Sequence, residues 1–451
     1  MGLLKRFFSK TPGRDRIFVL GLDGVSHAMV SGELGRYLVP NLAGLLTQGS
    51  LLPMRSVLPT MSSVAWATYF TGVNPAKHGI FGFVDRHPDP FQAVIPTARD
   101  LKSLTLWEHL SRYNHEIGVM GVPLTYPPKQ VNGFMVGCFF SPDLASATYP
   151  VELAPRLMEM DYRLDADTSL ARENLDAFLA DLDDTVSRRF LACRRLMAEE
   201  PWDFFQLNII STDRINHFLW GGWEDGDEDL ARAFTAFYRR LDAHIAELIQ
   251  DLPDGCHLVV LSDHGFTRSA GVVYLNQWLE ANGYLLLGMG KKELRNMHAE
   301  TRAYSLAPGR IYINLEGREE RGRVPSGRPY EDLREELIHR LGGLAHPETN
   351  QPLVRAVHKR EDIYHGAHLS RAADLIIEPE PGFDFKADLG RADLVGRDSI
   401  SGTHTLDDAF FFVHDTELVP AEPTTLLDAA PTILDLIKLP APEAMDGQSL
   451  L

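Results

Sequence analysis

Three apolar segments in this chain are each followed by an aspartate, and this pattern constrains the fold more than any other feature. The segments and their aspartates are Arg16–Leu22 with Asp23, residues 203–210 with Asp213, and residues 257–261 with Asp263. Continuous apolar runs of this length are typical of strands that are buried on both faces of a parallel sheet. Segments with helical spacing, such as residues 186–197 and 231–249, alternate with these runs. The sequence therefore predicts an α/β fold with a mostly parallel central sheet.

The size and charge of the chain limit the classes of function. Its 451 residues are 44% hydrophobic and 24% charged, which is enough to bury a large core, as one α/β domain with insertions or as two domains. The 62 acidic residues outnumber the 44 basic ones, and the formal net charge is −18. Such a surface repels a phosphodiester polymer. Nucleic-acid polymers are therefore not expected as partners.

The cysteines and the N-terminus indicate a reducing compartment. Cys138, Cys193 and Cys256 are widely spaced and form no CxxC pair, so neither a disulfide framework nor a thiolate zinc site is expected. Residues 1–13 mix basic and apolar side chains without the apolar core of a signal peptide, and no segment has the roughly 20 apolar residues of a membrane-spanning helix. We expect a cytoplasmic protein with a flexible basic tail at residues 1–13. Weak peripheral contact of this tail with the inner face of a membrane is the alternative.

Two irregular regions interrupt the alternation of strands and helices. Residues 81–200 contain several stretches rich in proline, glycine and aromatic side chains, and residues 288–373 contain only short regular segments. We predict that both regions are insertions or a cap within one domain that spans residues 14–451. The sheet is expected to resume at residues 374–378.

Aspartate and histidine residues recur in the segments that follow the predicted strands. Asp213 and His217 are four residues apart, so one helical turn places both side chains on the same face. The others are Asp23 before Gly24, Asp263 and His264 before Gly265, and His404 in a loop of small residues. Each of these residues alone could be a helix cap, a turn residue or a surface histidine. Together, carboxylates and imidazoles at the strand ends predict a metal centre for zinc or a similar divalent ion.

Ser62 is the candidate nucleophile. It lies at the predicted N-terminus of a helix, where unpaired backbone N–H groups and the helix dipole favour a phosphoryl group. The alternative is that Ser62 or Ser63 only caps the helix.

The motifs resemble those of the alkaline phosphatase superfamily, in the branch of type I phosphodiesterases, nucleotide pyrophosphatases and predicted phosphohydrolases or phosphomutases. They are Gly21 to Gly24, Ser62 followed by Thr71-Gly72, Asn74 to Ile80, Asp213 to His217, Ser262 to Phe266, and Ser401 to His404. The resemblance implies an α/β/α sandwich and two divalent ions, zinc or manganese. It implies that Asp213, His217 and His404 hold one ion, and that Asp23, Asp263, His264 and Ser62 hold the other. It also implies a phosphoseryl intermediate at Ser62 and a small phosphorylated substrate, either a phosphodiester or a phosphomonoester.

Several departures from related enzymes bear on the substrate. Nucleotide pyrophosphatases usually carry Thr, Phe, Pro and Asn at and after the nucleophile, whereas this chain has Ser62-Ser-Val-Ala-Trp66. The position of their phosphate-binding Asn falls at about Phe83 in this chain. The Pro and Arg of the sulfatase motif are missing after Ser62. A phosphomonoesterase, a phosphomutase and a non-catalytic metal-binding scaffold are the alternatives. His78 is predicted to be structural, and Arg214, Lys77, His365 and His368 are left out of the site.

Overall fold

The computed structural model describes residues 14–87, 92–288, 290 and 292–451. The predicted tail at residues 1–13 lies outside the described residues. The strands are β1 (Arg16–Leu22), β2 (Gly49–Met54), β3 (Asp85–His87), β4 (Gln92–Val94), β5 (Ile117–Met120), β6 (Gly133–Val136), β7 (Thr148–Tyr149), β8 (Phe204–Ile209), β9 (Cys256–Leu261), β10 (Gly265–Arg268), β11 (Gly271–Tyr274), β12 (Ala303–Ala307), β13 (Arg310–Ile313), β14 (Val354–Lys359), β15 (Leu375–Pro379), β16 (Phe383–Lys386), β17 (Val395–Gly396), β18 (Gly402–Thr405) and β19 (Ala409–His414).

The helices connect these strands and cover the central sheet. They are α1 (His27–Val30), α2 (Gly32–Leu38), α3 (Pro40–Leu45), α4 (Ser62–Thr71), α5 (Pro75–His78), α6 (Leu106–Arg112), α7 (Leu153–Glu159), α8 (Leu170–Glu173), α9 (Leu175–Glu199), α10 (Ser211–Glu224), α11 (Glu228–Gln250), α12 (Leu275–Ala281), α13 (Arg328–Gly342), α14 (Arg360–Ile363) and α15 (Leu426–Leu436). Within the described residues, no helix is both long and apolar enough to cross a lipid bilayer.

The central sheet has eight strands in the order β2-β19-β9-β1-β8-β5-β6-β7. The five neighbours β9, β1, β8, β5 and β6 are parallel, and β19 and β7 pair antiparallel to their neighbours. The prediction of an α/β fold with a mostly parallel sheet is confirmed. Since β1, β8 and β9 are adjacent and parallel, the loops that follow them meet at one edge of the sheet.

Alternating side chains of β1 give the sheet two buried faces. Phe18, Leu20 and Leu22 pack with α9, α10 and α11 in one core. Ile17 and Val19 pack with α4, α6 and α15 in the other. The sheet is therefore the middle layer of an α/β/α sandwich, and its strands read as continuous apolar runs because both faces are covered.

A second sheet lies outside the sandwich, with four strands in the order β12-β13-β15-β14. It packs with α12 and α13 around its own apolar core. The expectation that the central sheet resumes at residues 374–378 is wrong, because β15 in this segment pairs with β13 and β14. An apolar strand sequence favours burial in a sheet but does not specify which strands become its neighbours. In the region 81–200, by contrast, β5, β6 and β7 belong to the central sheet.

Candidate metal centre

The seven predicted site residues come together at the carboxyl edge of the central sheet. Asp23 follows β1, Asp213 and His217 lie on α10 after β8, and Asp263 and His264 follow β9. Ser62 is the first residue of α4. His404 reaches the centre because β18 pairs antiparallel with β10, with His404 opposite Phe266. The pairing of these two strands thus places His404, which lies far from the other candidate ligands in the sequence, at the centre.

Asp23, Asp263 and His264 form the first group, in which one ligand atom from each residue lies within 4.8 Å of the others. All three side chains are completely buried. The His264 Nε2 atom is 3.3 Å from Asp263 Oδ2 and 3.7 Å from Asp23 Oδ1. The Ser62 hydroxyl joins this group, with its Oγ atom 3.1 Å from Asp23 Oδ1 and 3.3 Å from His264 Nε2.

Asp213 and His404 form the second group, and His264 belongs to both groups by distance. The Asp213 Oδ1 atom is 3.2 Å from His404 Nε2 and 3.3 Å from His217 Nε2. The two Nε2 atoms of His217 and His404 are 3.1 Å apart. The imidazole rings of His264 and His404 are stacked, with their centroids 3.7 Å apart, so the two groups share a wall. His217 therefore lies beside the second group, with its Nε2 atom within 3.3 Å of ligand atoms of both Asp213 and His404.

The hydrogen bonds of the imidazoles fix the direction of their lone pairs. The Nδ1 atoms of His217, His264 and His404 each lie 3.0 Å from a backbone carbonyl oxygen, of Gly402, Gly265 and Thr60 respectively. Since a carbonyl oxygen accepts only, Nδ1 must carry the proton in the neutral ring and Nε2 must present its lone pair. This arrangement, with a backbone carbonyl holding the far nitrogen, is the usual support for a metal-binding histidine.

The carboxylates also fit a divalent cation. Burial raises the pKa of Asp23 well above its ordinary value, and the neighbouring Asp263 and Asp213 raise it further. Burial raises the pKa of Asp263 to about 7. Asp263 Oδ2 has no hydrogen-bond partner among the described residues, although it is buried and close to His264. Buried carboxylates with oxygen atoms within 4.8 Å of each other, as in Asp23 and Asp263, are stabilised by a positive charge between them. Nitrogen and oxygen donors of this kind suit zinc or manganese.

Ser62 does not act as a helix cap. Met61 occupies the N-cap position of α4, and no side-chain hydrogen bond caps this helix. The Ser62 side chain is buried and points at Asp23 and His264 instead. The geometry thus argues against the alternative that Ser62 only caps the helix.

Sequence reasoning missed three residues that hold the ligands in place. The Trp66 indole N–H donates to Asp23 Oδ2 at 2.7 Å. The Arg214 Nη1 atom donates to Asp213 Oδ2 at 3.1 Å. The Asn216 side-chain amide donates to the carbonyl oxygen of Gly24 at 2.8 Å, which ties the loop after β1 to α10. The spacing of four between Ser62 and Trp66 places both on one helix face and was the only signal for Trp66 in the sequence.

The residues that the sequence analysis left out of the site lie elsewhere, except for Arg214. His78 is completely buried; its Nε2 atom is 3.1 Å from Thr68 Oγ1, and its Nδ1 atom accepts from the Ile80 amide at 3.2 Å. Lys77 and His365 both bind the carboxylate of Asp446 near the C-terminus. These contacts agree with a structural role.

A cavity of about 320 Å³ opens on the second group. His217 and His404 line it on the side of the centre, with Thr60, Met61 and Phe83 beside them. Residues between 377 and 385, which belong to β15, β16 and the turn between them, also line the cavity. The cavity is large enough for a small organic group, and Ser62 and Asp23 do not line it.

Comparisons with known proteins identify the family and support the fold. The family model described as type I phosphodiesterase / nucleotide pyrophosphatase matches residues 17–407. The structure of phosphonoacetate hydrolase from Sinorhizobium meliloti 1021 is similar, with a TM-score of 0.62 and 17% sequence identity, over 92% of this chain and 94% of that one. Human ectonucleotide pyrophosphatase/phosphodiesterase 5 is similar with a TM-score of 0.59 and 15% identity, over 96% of this chain and 97% of that one. The murine form, solved as an inactive variant in complex with AMP, is similar with a TM-score of 0.59 and 14% identity, over 95% of this chain and 96% of that one. No curated protein matches the sequence significantly.

Proposed function

This chain belongs to the type I phosphodiesterase/nucleotide pyrophosphatase family and is a phosphoric ester hydrolase, and on that premise we propose that it cleaves a phosphodiester through a covalent intermediate on Ser62. The observation that carries the proposal is the position of the Ser62 hydroxyl. Its Oγ atom lies between Asp23 Oδ1 and His264 Nε2, which belong to a buried group of candidate metal ligands. A serine held there by acceptors alone is placed to lose its proton and attack phosphorus.

We assign the candidate ligands to two divalent cations, zinc or manganese. Asp213, His217 and His404 would hold one, and Asp23, Asp263, His264 and Ser62 would hold the other. When bound, such cations lower the pKa of a hydroxyl group and stabilise negative charge on phosphoryl oxygens. The donor set supports this assignment because three lone pairs and three carboxylates converge on the same small volume.

The chain's own residues then define two displacements at phosphorus. In the first, Ser62 gives up its proton to solvent, its Oγ atom attacks phosphorus and the bond to the leaving-group oxygen breaks. A phosphoseryl ester forms, and the leaving group takes up a proton from solvent. In an in-line displacement the leaving group departs opposite to the nucleophile, and the cavity beside His217 and His404 is the space in which it would lie. In the second, water enters from this side, breaks the phosphoseryl ester and returns the proton to Ser62. Two inversions give overall retention at phosphorus.

The substrate is proposed to be a small phosphorylated molecule. A phosphomonoester is the second candidate, because the same serine and ligands serve both ester classes. Phe83 is a specific reason to test beyond nucleotides, since an aromatic side chain lines the cavity and packs with Phe139 and Phe140. A phosphomutase would need the phosphoseryl group to pass to a second substrate site rather than to water.

The test compares bis-p-nitrophenyl phosphate with p-nitrophenyl phosphate, using protein loaded with zinc or with manganese. We expect faster hydrolysis of the diester. Ser62→Ala should bind the cations and lose turnover, whereas Ser62→Thr, which keeps a hydroxyl, should retain part of it. Acid quenching during turnover followed by mass spectrometry should find a phosphoryl group on Ser62. Full activity of Ser62→Ala would contradict the proposal, and preference for the monoester would favour the second candidate.

A further inference from the structure

Arg214 directly follows Asp213 on α10, and its side chain is nearly buried between two carboxylates. Only 18% of the side chain is exposed. Its Nη2 and Nε atoms donate to Asp165 Oδ2 at 2.7 and 3.1 Å, and its Nη1 atom donates to Asp213 Oδ2 at 3.1 Å. The guanidinium also lies over the ring of Phe139, with its Cζ atom 4.9 Å from the centroid. Most arginine side chains keep the guanidinium in water, whereas that of Arg214 is largely enclosed by these groups.

The two carboxylate oxygens of Asp213 have different partners. Oδ2 faces Arg214, while Oδ1 faces the Nε2 atoms of His217 and His404 at 3.3 and 3.2 Å. The planar guanidinium binds an oxygen in a defined direction and keeps its charge at every physiological pH. It therefore limits rotation of the carboxylate about its last bond.

We propose that Arg214, anchored by Asp165, is a positioning residue that holds Asp213 so that a single oxygen, Oδ1, is presented to a divalent cation beside His217 and His404. This inference rests on the proposed function, because it assumes that the centre binds cations. The anchor comes from the segment 81–200, through Asp165 and Phe139, so this segment contributes to the metal centre and not only to the wall of the sandwich.

The alternative role for Arg214 is direct contact with the substrate phosphoryl group. Its contacts use three of its five N–H groups, with Nε and Nη2 donating to Asp165 and Nη1 to Asp213, and they hold the guanidinium against these two carboxylates. Turning the guanidinium toward a substrate would break the pair with the partly buried Asp165 and leave the buried Asp213 without its cation, which is costly. Asp165 and Asp213 also raise the pKa of Arg214 in spite of its burial.

The test titrates metal-free protein with zinc or manganese alone and measures affinity and stoichiometry by calorimetry. We expect Arg214→Met to weaken one of the two sites by about 10- to 100-fold, as is usual for residues that orient a metal ligand. Arg214→Lys should recover part of the loss, and Asp165→Asn should shift affinity in the same direction. The control is Arg195→Met, which removes the exposed pair with Glu199 on α9 and should leave both sites unchanged. Loading with Co²⁺ gives a second readout, since the visible absorption of the ion reports its ligand geometry.

Unchanged cation affinity in Arg214→Met would overturn the proposal. Unchanged affinity together with a raised KM would assign Arg214 to substrate binding instead. If Arg214→Met does not fold, Asp165→Asn decides, because it leaves both Arg214 and Asp213 in place; unchanged affinity there would also overturn the proposal. The proposed function fails separately, through full activity of Ser62→Ala, so the two failures are distinguishable.

Discussion

The indole N–H of Trp66 donates to Oδ2 of Asp23 at 2.7 Å, from the helical turn that follows Ser62. This leaves Oδ1 of Asp23 to face the Ser62 hydroxyl at 3.1 Å. Asp263 shows the same division, since its Oδ1 accepts the Gly24 amide and its Oδ2 has no partner among the described residues. In Asp213, Oδ2 accepts from Arg214 and Oδ1 faces the centre. Each of the three aspartates therefore has one carboxylate oxygen held by a protein donor and the other directed at the centre.

Replacement of Trp66 by phenylalanine tests this division at Asp23. The ring of Phe fills much of the space while removing the N–H donor, so Asp23 should rotate more freely and bind a cation more weakly. We expect a loss of about 10- to 100-fold in cation affinity, with a similar loss of turnover. Calorimetric titration of the metal-free variant measures the affinity. Trp202→Phe is the matched control, because its buried indole donates to the backbone oxygen of Met197 instead; an equal loss there would contradict the prediction.

The gathering of the candidate ligands at the strand ends was predictable from the sequence, because most of their positions depend on local geometry. The runs of β1, β8 and β9 identify buried parallel strands, and the spacing of Asp213 and His217 is a property of one helical turn. The contacts of Trp66, Asp165 and Arg214 were not predictable, because they depend on side chains that approach from distant parts of the chain. The same limit explains the error at β15, where the strand was recognised but its pairing with β13 and β14 was not.

Arg310 joins the second sheet to the segment after α5 through a buried ion pair. Its side chain is 1% exposed, and its Nη1 atom donates to Asp85 Oδ1 at 2.7 Å. Arg310→Met would leave Asp85 buried without its cation, which should lower the free energy of unfolding by about 3 to 5 kcal/mol. Urea denaturation measures the loss. Adding Asp85→Asn to this variant should restore part of it.

The control for Arg310 is Arg328→Met, which removes an ion pair with Asp332 at the surface. Both side chains of this pair are strongly exposed, so water screens their attraction and little stability should be lost. Equal effects of the two substitutions would show that burial does not strengthen the dependence of Asp85 on Arg310.

His78 should make the fold sensitive to acid without contributing to catalysis. Burial lowers its pKa to about 3, below the ordinary value of 6.5. Below pH 6.5 the imidazole of His78 therefore binds a proton in the unfolded chain but not in the native protein. The contribution of His78 to the unfolding free energy is full above this pH and falls as the pH approaches 3. Between pH 6.5 and 5 the effect is about 2 kcal/mol. His78→Gln should remove this part of the pH dependence of the unfolding free energy, and it should retain turnover; a steep loss of turnover in folded protein would place His78 in the site.

Asp263 should destabilise the metal-free protein and stabilise the metal-bound one. Without a cation, burial raises its pKa to about 7, above the ordinary value of 3.8. For a raised pKa the stability is full below the unfolded value and is lost as the pH rises to about 7, because the native state must give up a proton that the unfolded chain has already lost. Asp263→Asn should therefore raise the melting temperature of chelator-treated protein at pH 8, where wild type carries this buried charge. With cation at 100 times its Kd, wild type should gain about 2.7 kcal/mol in unfolding free energy and the variant less.

Asp242→Asn is the control for Asp263→Asn. The buried carboxylate of Asp242 accepts hydrogen bonds from the backbone amides of Asn41 and Leu42, so its loss should destabilise both the metal-free and the metal-bound protein. A lower melting temperature of metal-free Asp263→Asn would show that the carboxylate is satisfied without a cation.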